Sequence, residues 1–172
     1  MLMNYRWIGA GVVFLTCGSL GFSIAAEYRK EMQTMRNLVT MLDMMECELS
    51  YRLTPLPELC RKSVAGITGQ VRRVMLAFAR ELEQQICPDT NTCMGYVLNC
   101  AKGLTPSGQK YLKKLGISLG RFDLAGQLTA INALREECAK ALDGMDVDRQ
   151  QRLRGYQTLG LCAGAALVIL LV

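Results

Sequence analysis

The sequence contains no histidine in 172 residues. That removes the commonest general base and metal ligand, and any Ser-His or Cys-His nucleophilic pair. Aromatic residues are only 6% of the chain, too few to interleave with a basic stripe as a nucleic-acid surface requires, so no nucleic-acid partner is expected. No CxxC pair occurs, and Cys87, Cys93 and Cys100 stand at poor zinc spacing. No segment reads as a strand, and no internal repeat or low-complexity linker is found. The glycine-rich stretch LKKLGISLGRFDLAGQ (112–127) also lacks what a phosphate loop needs. Its lysines precede the glycines, and no Lys-Ser/Thr follows. No catalytic residue, cofactor or metal site is therefore expected. An enzyme built on acidic residues would need carboxylates converging in a pocket, a pattern the sequence does not contain.

What is present is apolar and unevenly spread. Residues 7–26, WIGAGVVFLTCGSLGFSIAA, are uncharged and make about 30 Å of helix, the thickness of a bilayer core. Residues 156–172 are also uncharged and give about 26 Å, enough to span with local thinning. Both read as transmembrane helices. Arg29, Lys30 and Arg36 follow the first block and Arg6 alone precedes it, while Arg149, Arg152 and Arg154 precede the second. This asymmetry places 27–155 in the cytoplasm with both termini outside. Tyr5, Trp7, Tyr28 and Tyr156 stand where interfacial aromatics belong. The net charge of +5 is accounted for by these juxtamembrane cations. Within the second block, Gly160 and Gly164 form a GxxxG suited to close helix packing.

The alternative is export. Ser23-Ile24-Ala25 resembles a signal-peptide cleavage site. The chain would then be a disulfide-bearing helical protein held by its C-terminal anchor, with pairs drawn from the six cysteines between 47 and 138. In the cytoplasm those thiols would be reduced and mostly buried.

Residues 27–155 read as an all-α bundle of about six helices flanked by the two transmembrane helices. Met32, Met35, Leu38, Val39, Leu42, Met45, Leu49 and Leu53 form one apolar stripe that stops at Thr54-Pro55-Leu56-Pro57. Short helices then carry Leu59, Cys60 and Val64, next Val71 to Ile86, and after Pro88-Asp89-Thr90-Asn91, Met94 to Ala101. Gly103 closes the last of these as a C′ residue. Thr105 caps a fifth helix with Pro106 at its first position. Gly120 ends that helix, Asp123 caps the sixth, Gly126 sits in its first turn, and Gly116 lets another backbone approach. The sixth helix shows Leu128, Ile131, Arg135, Cys138, Leu142 and Met145 near heptad spacing. The methionine stripe reads as core, and Glu46 and Glu48 as a solvated helix flank.

Two blocks carry a family resemblance. LGISLGRFDLAGQLTAI (115–131) resembles the L-G-x-x-L-G-x-x-D-x-x-x-Q-x-x-x-I pattern of stage III sporulation protein AB, with Gly116, Gly120, Asp123, Gln127 and Ile131 in place. RNLVTMLDMMECELSYRLTPLPE (36–58) is similar to its L-x-x-E-I/L-x-Y-x-x-T-P-L-x-E block, through Glu46, Glu48, Tyr51, Thr54, Pro55, Leu56 and Glu58. The C-terminal LGLCAGAALVILLV looks like the family's anchor. The cysteine and methionine load departs from the family, as does the lightly charged ALDGMDVD. The resemblance implies a membrane component of the sporulation channel or secretion-like complex, in the mother-cell membrane around the forespore. The implied partners are membrane lipid, the complex's other membrane proteins and a cytoplasmic secretion-type ATPase. The soluble part would be similar to F-type platform proteins of type II secretion. Homo-oligomerisation is left open.

Overall fold

A computed structural model describes the backbone of residues 3–146 except 53, 86 and 120–122, and side chains from residue 26 onward. The helices are α1 (Met3–Arg52), α2 (Leu56–Ser63), α3 (Gln70–Gln84), α4 (Thr90–Cys100), α5 (Pro106–Ser118) and α6 (124–146). No strand occurs among the described residues. The expected bundle is there. The boundary drawn at 26/27 falls inside one unbroken helix. At 50 residues, α1 is about 75 Å long. Neither its interior nor that of the expected transmembrane block contains proline, so nothing forces a break there.

The helix directions follow from a few contacts. The Tyr28 hydroxyl donates to the Met145 carbonyl, while Arg135 lies 3.5 Å from both Asp43 and Glu46, so α1 and α6 run antiparallel. The Ser107 N–H donates to Glu31 Oε1 at 3.1 Å, which starts α5 beside the early part of α1. The Thr90 hydroxyl donates to the Gly116 and Leu119 carbonyls, which sets α4 antiparallel to α5. Asn37 Nδ2 donates to the Thr68 carbonyl at 2.8 Å and pins the α2–α3 loop to α1. The bundle therefore has a shaft end, where residues 28–31, 68–73, 101–107 and 145–146 meet and from which α1 continues as helix back to Met3. It also has a far end, made by the close of α1 with the α1–α2, α3–α4 and α5–α6 connections.

The core follows the periodicity. Met35, Leu38, Leu42 and Met45 of α1 are buried with Phe78, Leu112, Ile131 and Cys138. The methionines at 32, 35, 41, 45, 75 and 94 are all buried; their flexible stems fill gaps between helices of unequal length. Met41 and Leu134 are buried as well and belong to the stripes. The cysteines at 47, 60, 87, 93, 100 and 138 are free thiols, and burial pushes Cys60, Cys93 and Cys138 up to about 12. Among the residues with described side chains, no helix is long and apolar enough to cross a membrane. Apart from Ala26, both expected membrane blocks, with Gly160 and Gly164 in the second, lie outside those residues.

The helix ends bear out most of the local chemistry. Thr105 Oγ1 accepts from the Gly108 N–H at 3.2 Å, with Pro106 opening α5. Asp123 Oδ1 accepts from the Gly126 N–H at 3.1 Å, and its carbonyl accepts from the Gln127 N–H at 2.9 Å. Gly103 corrects the C′ expectation. α4 closes on an extended Ala101, and Gly103, at φ +79°, bends the loop two residues later. Gly120 lies outside the described residues; α5 stops at Ser118 with an extended Leu119 as its cap.

Candidate interaction surface

The first motif block builds the α1–α2 corner at the far end. Glu48 Oε2 accepts from the buried Thr54 hydroxyl at 3.0 Å and lies 3.5 Å from Lys62 Nζ; its other oxygen is 4.0 Å from Arg52. The Thr54 hydrogen bond is the main cause holding the Glu48 carboxyl below its ordinary value of 4.5, against the opposing effect of burial and with help from Lys62 and Arg52. Lys62, raised chiefly by its hydrogen bond to Glu58, is 3.0 Å from that carboxylate. Pro55 turns the chain, and its carbonyl accepts from the Leu59 N–H at 2.9 Å to begin α2. Leu56 is half-buried against the core. One anion thus ties the end of α1, the Thr-Pro corner and α2 together.

Glu46 is not a solvated flank. Its carboxylate is 3.5 Å from Arg135 Nε, and Arg135 Nη1 is 3.5 Å from Asp43. Arg135 occupies a stripe position on α6, so its stem crosses the α1–α6 seam and its head meets the two α1 carboxylates. Residue types alone did not pair these groups, because the partner lies some ninety positions along the chain.

The second motif block builds the α5–α6 corner at the same end. A Cβ placed on Gly116 would sit 2.5 Å from Met94 Cβ and 2.8 Å from Met94 Cγ, with the Thr90 carbonyl at 3.6 Å. The close approach expected of Gly116 is therefore to the stem of a side chain, and the backbone of α4 follows just behind it. Asp123 caps α6, Gln127 is half-buried in its first turn, and Ile131 is fully buried. Lys114 and Glu137, 2.6 Å apart, clamp α5 to α6, and that carboxylate raises the Lys114 pKa. Thr90 and Met94, the partners of the glycine motif, were missed; a Thr directly after an Asp N-cap was the available signal.

Several motif residues therefore shape the far end from within, while Tyr51, Pro55, Glu58 and Asp123 are exposed. Tyr51 is 84% exposed, the most exposed large apolar side chain among the described residues, with Met44 two turns earlier at 45%. Leu124 at 41% and Ile117 at 37% stand by the other corner. Among the described residues no cluster of three or more His, Cys, Asp or Glu side chains is placed to hold a metal ion.

Comparison with known proteins agrees with this geometry. A solved structure described as stage III sporulation protein AB (SpoIIIAB) superposes with a TM-score of 0.61 at 20% identity, covering 71% of this chain and 98% of its own; at that identity the likeness concerns the fold. No curated protein matches the chain. The family model described as stage III sporulation protein AB matches residues 6–172. Nearly the whole sequence, including both motif corners and both charge-free blocks, fits that model, and the chain belongs to the stage III sporulation protein AB family.

Proposed function

We propose that this sporulation protein is a non-enzymatic platform: a helical bundle held at the mother-cell membrane by its two terminal segments, presenting its far end to other members of the sporulation channel complex. The observation that carries the reading is the antiparallel pairing of α1 and α6. Residue 28 of one meets residue 145 of the other, so the chain enters and leaves the bundle at one end. Two anchors starting there insert into the same face of one bilayer as a helical hairpin, and the opposite end is left to protein partners. The free thiols accord with a cytoplasmic position for the bundle. A secretion-type ATPase of the complex is the cytoplasmic partner assigned to the far end.

The test is site-specific photocrosslinking in sporulating cells, from a benzoylphenylalanine at position 51 and, separately, at 123. A crosslink to another membrane protein or the ATPase of the complex supports the reading; capture of lipid alone overturns it. Membrane-impermeant thiol labelling checks the topology: Cys47 and Cys100, both exposed, should react only after lysis.

A further inference from the structure

The shaft end collects cations from three distant parts of the chain. Lys30 follows Arg29 on α1, Arg72 and Arg73 lie in the first turn of α3, and Lys102 is in the α4–α5 loop. Gly103 marks where these elements meet: a Cβ there would sit 3.2 Å from Gln70 Nε2 at the start of α3 and 3.9 Å from Lys30 Nζ on α1. Gln70, Arg73 and Lys102 also line one groove of about 400 Å³ between α3 and α4.

These five residues are exposed, and none makes an ion pair among the described residues. Away from this end, Arg61, Lys62, Lys114 and Arg135 each have a carboxylate within 3.5 Å. The carboxylates near the shaft end do not neutralise the five cations. Asp146 is paired with Arg36 at 3.6 Å. Glu27, Asp143 and Glu31, which keeps its charge although it accepts from the Ser107 N–H, stand against five cations, and Glu81 lines the groove two turns further along α3.

We propose that this face binds the anionic phospholipid headgroups of the membrane from which α1 emerges. The inference rests on the anchored reading above and goes further. Arg72, Arg73 and Lys102 are far from either expected membrane segment in sequence, and the fold brings the start of α3 and the α4–α5 loop to the Lys30 level of α1. The bundle is then seated directly on the bilayer, where cations within a Debye length of an anionic surface are attracted to it. A lipid surface fits better than an acidic protein, because the plane it faces is the one the α1 shaft crosses.

The experiment uses the full chain in nanodiscs of phosphatidylcholine, with or without phosphatidylglycerol, and follows amine acetylation by peptide mass spectrometry. Lys30 and Lys102 should acetylate about fivefold more slowly in the anionic discs, and high salt should abolish the difference. Lys113, exposed and unpaired but further along α5, serves as the control and should not change. The double substitution Arg72→Gln, Arg73→Gln should reduce the protection of Lys30 and Lys102 without altering the α-helical circular dichroism. Equal rates in the two lipids overturn the proposal and leave the face to a protein partner. A chain that enters neither disc overturns the anchored reading instead, so the two failures can be told apart.

Discussion

The two ends of the bundle are built from different chemistry. At the shaft end, helices are joined through polar atoms: a tyrosine hydroxyl on a carbonyl, a glutamate on an amide, an asparagine on a loop carbonyl. The surface between them carries unpaired cations. At the far end Gly116 packs directly on Met94 beside the Thr90 hydroxyl's bonds to two carbonyls, cations are paired around the half-buried Glu48, and apolar side chains are exposed on the outside. In the proposed arrangement the first end faces a charged, fluid surface and the second a shaped apolar partner. Even the glycines differ. Gly116 is needed for space, whereas Gly103 is needed for a positive φ.

The comparison can be broken most forcefully at Gly116. Gly116→Val should destabilise the fold by about 1–3 kcal/mol in urea unfolding, as overpacking of a closed site does, and Met94→Ala in the same chain should recover part of the loss. Gly103→Ala should cost about 1 kcal/mol through strain at positive φ, and Met94→Ala should not rescue it. If both glycine variants responded alike to Met94→Ala, the distinction between space and torsion would fail.

Arg135→Met should come next, at about 1 kcal/mol, since two exposed-to-half-buried carboxylates lose a shared cation while the packed stem is retained. Glu48 adds a pH signature. Its folded-state pKa is depressed, so its contribution is fully present above the ordinary value of 4.5 and is lost as pH falls below that through the native value. Unfolding curves of the native chain and of Thr54→Val should therefore differ at neutral pH and converge on acidification. The smallest effect on stability belongs to Tyr51→Ala, within about 0.5 kcal/mol as for exposed sites generally. Its consequence should appear in sporulation efficiency and in loss of crosslinks at the far end.

Much of this architecture was legible in the residues. The apolar stripes located the helices, and Thr105-Pro106 and Asp123 marked two starts by local hydrogen-bond chemistry that needs no tertiary context. What could not be read were pairings across the fold. Glu46 looked like a flank because Arg135 is distant in sequence, and Gly116 looked like a backbone contact because Met94 belongs to another helix. Gly103 was placed as a helix cap, since a glycine after an apolar run resembles one until its φ and the extended Ala101 before it are known. The cationic face is a stronger case: its five residues form no run, and only the antiparallel return of the helices brings them together.

The length of α1 has a mechanical consequence. One helix forms both the predicted membrane segment and the wall of the bundle, with no proline between Met3 and Arg52, so the domain has no swivel at its base. Tyr51 stands about 36 Å along the rod from Glu27, and a tilt of about 10° there would carry it sideways by about 6 Å. In the proposed anchored arrangement the far end is geared to the axis of the first segment, and a change in how that segment leans is delivered along the rod to whatever Tyr51 touches.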